Sequence, residues 1–199
     1  IRNNNHDKIL NLAKKNIIPI INGLTNYSHP CQILGDFLTI QESFKNYKKL
    51  KVTWIGDFNN VLTSLIHLQT IYLFKLDVVL PSKILSNNKK IIKLYANKHL
   101  KFLSDIKIGS KNSQCIMTDV WVSMGEKKSN KSKMFENFTV TKNILNLASK
   151  DVIFMHCLPA HRGQEVSSDV LYCKNSVVLQ QAKNRMFIQQ AILKYVLEV

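Results

Sequence analysis

Apolar positions along this chain fall into two rhythms. Short continuous runs at 50–55, 76–80, 115–119, 151–155 and 176–179 have the length and apolar content of buried strands. Between them, apolar residues recur at three- and four-residue spacing over 6–16, 61–73, 88–100, 141–149 and 185–199, the period of a helix packed by one face. One more helix is predicted to be capped by Ser28 or His29, with Pro30 in its first turn, and to carry Ile33, Leu34, Phe37, Leu38 and Ile40 as far as Phe44. Residues 17–21, Ile-Ile-Pro-Ile-Ile, read as a buried extended segment that Asn22-Gly23 ends.

Strands alternating with helices predict an α/β fold: a doubly wound, mostly parallel sheet with helices on both faces. Ligands of such sheets bind beyond the carboxyl ends of the strands. The polar residues that follow each strand are therefore the first candidates for function. They are Gly56-Asp57-Phe58-Asn59-Asn60, Asp119 with Ser123-Met124-Gly125 beyond it, and His156-Cys157-Leu158-Pro159. The charged stretch 127–133 reads as an exposed, mobile loop.

Composition narrows the function classes. Of 199 residues, 45% are apolar, which is ordinary for a globular protein and supports a core. No apolar run approaches the roughly 20 residues that cross a bilayer. Lys and Arg number 28 against 13 Asp and Glu, a formal charge of +15 that raises the question of nucleic acid. The distribution argues against it. Lysines are spread along the whole chain, the arginines are only Arg2, Arg162 and Arg185, and no aromatic–basic interleaving occurs. The charge still favours an anionic substrate. Cys31, Cys115, Cys157 and Cys173 form no Cys-x-x-Cys pair, so a zinc ribbon or thioredoxin-type motif is not supported and a reducing, intracellular setting is predicted.

Read as residues, each motif leaves alternatives. His29 and Gln32 share one face in the first turn of a helix, beside unbonded amides and the positive end of the helix dipole. Aimed at one carbonyl oxygen, a His donor and a Gln amide would stabilise charge developing there; otherwise they mark a helix start with a surface glutamine. Asn59 and Asn60 either present amides over the sheet edge or cap the next helix. Asp119 either binds a cationic amine or begins a turn. Cys157 is a nucleophile, a metal ligand, a binding group or a buried thiol. His156 points to the opposite strand face, so the two make no ready dyad. His156, Cys157 and His161 match no usual zinc spacing, and His161 reads as structural.

The stretches HPCQ at 29–32, GDFNN at 56–60, DVWVSMG at 119–125 and HCLP at 156–159, followed by Lys183-Asn184-Arg185, resemble in order and separation those of the ornithine carbamoyltransferases. The resemblance runs from Arg2 to the chain's end. It implies an enzyme that moves a carbamoyl group from carbamoyl phosphate to the δ-amine of L-ornithine, giving L-citrulline and phosphate, a step of arginine biosynthesis or the urea cycle. It places Arg2, His29, Gln32, Cys157, Leu158 and Arg185 on carbamoyl phosphate, and Asn60, Asp119, Ser123 and Met124 on ornithine. Cys157, Asp119, His29 and Arg185 would form the catalytic set, with Arg162 and the 163–165 segment completing a mobile wall. No metal or organic cofactor is implied, and neither is a nucleic-acid or membrane partner. A homotrimer in the cytoplasm, or in an organellar matrix, is implied.

The same resemblance divides the chain into a remainder of the carbamoyl-phosphate domain at 1–44, an ornithine-binding domain at 45–182, and a C-terminal helix at 183–199 that returns toward the amino-terminal domain. It implies a fragment, because the family's Ser-x-Arg-Thr phosphate loop has no counterpart here, and hence little turnover by the chain alone. Phe58 stands where the family usually has Gly and would be strained if that position needs a positive φ. Alternatives are a carbamoyltransferase for another amine, such as putrescine, and a noncatalytic homologue or remnant.

Overall fold

The structure, a computed structural model, describes residues 1–122 and 131–198. Its centre is one sheet of five strands: β1 (Lys51–Ile55), β2 (Lys75–Val79), β3 (Leu100–Leu103), β4 (Cys115–Thr118) and β5 (Ile153–His156). They lie in the order β3-β2-β1-β4-β5 and every neighbouring pair is parallel. In central β1, Val52, Thr53, Trp54 and Ile55 are all buried. Successive strand side chains point to opposite faces, so this burial needs cover on both sides.

The helices are α1 (His6–Ala13), α2 (Pro30–Ser43), α3 (Asn60–Tyr72), α4 (Ser82–Asn87), α5 (Lys89–Tyr95), α6 (Ile106–Ser110), α7 (Lys142–Leu145), α8 (Ser168–Leu171) and α9 (Val178–Leu197). On the Thr53 face, α6 lies so close that a Cβ on Gly109 would come within 2.2 Å of Val79 Cγ2. Thr53 Oγ1 donates to the Gly109 carbonyl there at 2.8 Å. Helix α2 packs along α9 and against α3. At Gly35 the α2–α9 approach is tight, since a Cβ would lie 3.2 Å from Arg185 Cα.

The expected doubly wound α/β sheet is present, with local corrections. Residues 176–179 are not a strand. Ser176 makes one bridge to Phe154, and α9 begins at Val178. The fifth strand is instead β3, at the end of the stretch expected to be helical over 88–100; α5 stops at Tyr95. As the edge of the sheet, β3 buries fully only Leu100, leaves Lys101 exposed, and gives no run of apolar residues to read. Arg185 lies two turns inside α9 and does not open it.

The 17–21 segment is not a buried strand: Ile17 is 80% exposed and Ile18 67%, because no strand of the sheet lies beside it. Of the expected loop at 127–133, residues 131–133 are held in place. Lys131 pairs with Asp57 at 2.6 Å, and a 3-10 turn at Ser132–Phe135 buries Phe135 completely. Phe58 carries no left-handed strain: the positive φ of its turn falls on Gly56, at 151°. No helix among the described residues is long and apolar enough to cross a membrane.

Candidate active site

Strand β1 has β2 on one side and β4 on the other, so the connections that leave β1 and β4 part there and open a crevice at the carboxyl edge. Three motifs meet at this edge. Asn59, after β1, is the N-cap of α3, and its Oδ1 accepts from Val61 N and Leu62 N at 3.1 and 3.0 Å. Its Nδ2 donates across the crevice to Asp119 Oδ2 at 2.7 Å. Asp119, after β4, accepts from Val120 N at 2.8 Å and from Cys157 Sγ at 2.9 Å on its other oxygen. One buried carboxylate thus ties together the ends of β1, β4 and β5. Burial, with the Asp119 charge and hydrogen bond added, holds the Cys157 thiol well above its ordinary pKa. At neutral pH it is a protonated donor, not a thiolate nucleophile.

His156 lies behind this cluster. Its Nδ1 accepts from Leu158 N at 2.9 Å, and a backbone N–H can only donate, so in the neutral ring Nε2 carries the proton. Nε2 pairs with Glu165 Oε1 at 3.1 Å, and that oxygen also accepts from His161 N at 2.5 Å. Glu165 is completely buried and supports the turn through His156 and the His161 backbone. Asp119, His156 and Cys157 bring ligand atoms within 4.8 Å of one another. The chemistry does not suit a metal, because both His156 nitrogens are already engaged.

A second polar group lies in the seam between α2 and α9. His29 stands at the N-cap of α2 and donates its backbone N–H to Ser64 Oγ at 2.7 Å. Its Nδ1 is buried without a partner. Burial, reinforced by the charges of Arg185 and Arg2, lowers its pKa to about 4, so the ring is neutral at pH 7. Gln32 Nε2 donates to Asp36 Oδ1 at 2.7 Å, and Gln181 Nε2 donates to the same oxygen at 2.7 Å. Gln181 Oε1 in turn accepts from His156 N at 2.9 Å, which links the seam to β5. Gln32 thus differs from the expected donor in one respect: its Nε2 already donates to Asp36, and its buried atom without a partner is the acceptor Oε1.

The remaining expected residues distribute unevenly. Asn60 Nδ2 donates to the Thr25 carbonyl at 2.6 Å, so it is Asn59 that reaches Asp119. Leu158 is half-buried with φ 52°. Arg185 is half-buried beside Gly35, and Arg2 is exposed and bridges Leu24 through its backbone. Ser123, Met124 and Gly125 lie outside the described residues. Asp36, Gln181 and the buried position of Glu165 were missed. Asp36 had a faint signal, one helical turn beyond Gln32. Gln181 had none, since it meets Asp36 across 145 residues.

The sequence profile of the aspartate/ornithine carbamoyltransferase Asp/Orn binding domain matches residues 48–196. The chain belongs to the aspartate/ornithine carbamoyltransferase family. The profile of the family's carbamoyl-P binding domain matches residues 1–42. The ornithine carbamoyltransferase of Prochlorococcus marinus is 41% identical over 97% of this chain and 65% of its own length, and that of Methanobrevibacter smithii 40% over 100% and 68%. The chain thus spans about two thirds of the length of these carbamoyltransferases. The solved ornithine carbamoyltransferase of Pyrococcus furiosus aligns with TM-score 0.90 and 40% identity, covering 98% of this chain and 64% of that one. That of Burkholderia thailandensis aligns at 0.88 and 34%, with the same coverage. Seen against the two carbamoyltransferase profiles, α2 falls almost wholly in the carbamoyl-P match and α9 in the Asp/Orn match, so the polar seam joins the two.

Proposed function

We propose that this chain is the amino-acid-binding part, with adjoining carbamoyl-contacting elements, of an ornithine carbamoyltransferase. The reaction transfers a carbamoyl group from carbamoyl phosphate to the δ-amine of L-ornithine and yields L-citrulline and phosphate. The observation that carries this reading is the Asn59–Asp119–Cys157 cluster at the carboxyl edge of the sheet, a buried carboxylate placed to receive an amine. The names of the relatives supply the substrate class.

In this reading Asp119, with Asn60, Ser123 and Met124, holds ornithine. Asp119 and the protonated Cys157 orient the δ-amine, whose proton is drawn toward the carboxylate as its nitrogen attacks the carbamoyl carbon. The carbon–oxygen bond to phosphate then breaks and phosphate departs. Neutral His29 and Arg185 donate to the carbonyl oxygen as it gains charge. Gln32 Oε1 accepts from the carbamoyl NH2, with Leu158 beside it. Arg2 attends the phosphate. Carbamoyl phosphate is already activated, so positioning and charge stabilisation suffice. The proposal extends to a homotrimer in the cytoplasm acting in arginine metabolism, with 1–44 on the carbamoyl-phosphate side, 45–182 on the ornithine side and 183–199 returning toward the amino-terminal domain.

The test is a citrulline assay on the protein expressed from its complete reading frame, with ornithine and, in parallel, putrescine as acceptor. The expected result is citrulline from ornithine, lost on Asp119→Ala or Cys157→Ala. Carbamoyl-putrescine as the main product, or no product from folded protein, would sink it.

A further inference from the structure

The α2–α9 seam contains a constraint that the reaction scheme above does not use. Gln32 is fully buried and, like any primary amide, offers an acceptor on one side and two donors on the other. Two bonds decide which side goes where. Gln181 is oriented independently, because its Oε1 accepts the His156 backbone N–H, and its NH2 must therefore face Asp36 Oδ1. That oxygen is thereby an acceptor, and Gln32 turns its own NH2 to it as well, at 2.7 Å. The arrangement survives protonation. Burial pushes the Asp36 carboxyl up to about 7, but a proton can sit on Oδ2, which has no partner, and leave Oδ1 accepting. Gln32 Oε1 remains buried without a donor. A buried acceptor in that state is costly until a donor reaches it.

We propose that Asp36 is a specificity-determining positioning residue: by locking the Gln32 amide in one orientation, it makes the site select an acyl phosphate bearing N–H over one of equal shape bearing a methyl group. This inference rests on the carbamoyl-transfer reading for placing the acyl group against Gln32. Carbamoyl phosphate and acetyl phosphate form the matched pair, NH2 against CH3 on the same carbonyl. The carbonyl oxygen and the phosphate are common to both, so the donors for those groups do not discriminate. The acceptor held by Asp36 meets the group in which the two differ. Asp36 touches no substrate in this scheme and acts through Gln32 alone.

The experiment is calorimetric binding of carbamoyl phosphate, acetyl phosphate and inorganic phosphate to the protein expressed from its complete reading frame, run cold and without ornithine. Wild type is expected to bind carbamoyl phosphate at least about 10-fold more tightly than acetyl phosphate, the effect of one buried acceptor left unmet. Asp36→Asn keeps an oxygen acceptor in place and is expected to keep the ratio. Asp36→Ala releases the amide to turn, and the ratio is expected to fall close to one. Gln32→Ala removes the acceptor itself and should give the same collapse, while Asp36→Leu, which fills the Asp36 volume without an acceptor, is expected to lower the ratio as Asp36→Ala does and replaces it if that protein fails to fold.

Equal binding of the two acyl phosphates by wild type overturns the inference. So does an Asp36→Ala protein that keeps the full ratio, or an Asn variant that loses as much as the Ala variant. Failure of the two readings is separable. A ratio near one beside normal citrulline formation removes only the inference. A preserved ratio without citrulline removes only the ornithine reading. A wild type that binds neither acyl phosphate removes both.

Discussion

The α2–α9 seam and the carboxyl edge of β1, β4 and β5 both gather polar side chains, and they satisfy them in different ways. In the seam, Gln32, Asp36, Gln181 and Asn184 are buried; Gln32 and Gln181 both donate to Asp36, and Asn184 donates to Thr39 Oγ1 while accepting from Gln180. Unpaired there are His29 Nδ1 and two atoms that can only accept a hydrogen bond while Asp36 is ionised, Gln32 Oε1 and Asp36 Oδ2. At the edge, Asp119 is held by Asn59, Val120 and Cys157, all three only half-buried. The seam is a template whose geometry is set before any ligand arrives. The edge is a charged receptor whose bonds can be exchanged with a ligand's. Stability should therefore be concentrated in the first and affinity for the amine in the second.

The largest expected effect tests the seam. Asp36→Ala leaves two buried NH2 groups without their acceptor and should destabilise the fold by about 3 kcal/mol, whereas Asp119→Ala, whose partners can reach water, should cost about 1 kcal/mol. Urea denaturation of both variants measures this, and equal losses would erase the distinction. The next effect tests the edge. Asp119→Ala should weaken ornithine binding, read by calorimetry, by about 30-fold or more, the loss of a charge-assisted contact. Retained affinity would move the amine site elsewhere.

A third effect is the pH dependence within the seam. Burial raises Asp36 from 3.8 to about 7, and burial with the Arg185 and Arg2 charges lowers His29 from 6.5 to about 4. Between pH 4 and 7 the unfolded chain releases the Asp36 proton that the fold retains, so this group's contribution falls as pH rises. Between pH 6.5 and 4 the unfolded chain takes up a His29 proton that the fold refuses, so that contribution falls as pH drops. Each slope is at most about 1.4 kcal/mol per pH unit, and over pH 4 to 6.5 they oppose. Relative to wild type, Asp36→Asn should therefore gain stability as pH rises through this window, and His29→Gln should lose it. Denaturation curves of the three proteins that stay parallel from pH 4 to 7 would refute both assignments.

The smallest effect is expected on the outward side of α9. Phe187 is 41% exposed, and Phe187→Ser should change stability by no more than about 0.5 kcal/mol in this chain. A larger loss would mean that this side takes part in the seam's packing.

Much of this was legible along the chain. Apolar runs marked β1, β2, β4 and β5 because strands buried on both faces show their character residue by residue. The motifs after them located the edge cluster, because a parallel sheet delivers the ends of its strands to one side. Four spaced motifs were enough to indicate the carbamoyltransferase family. Edge strand β3 was not legible, since Lys101 and a half-exposed Phe102 break its pattern, and 176–179 looked like a strand only because a helix start can also be apolar. The chemistry of Gln32 was decided by the tertiary structure alone. Whether it offers a donor or an acceptor depends on Asp36, whose own state depends on Gln181, and Gln181 is oriented by the backbone of β5. Burial of Glu165 beneath the Cys157 turn was decided in the same way. Periodicity records which side of an element is apolar, which is a local property. Hydrogen-bond polarity in a buried network is settled by partners brought together only when the chain folds.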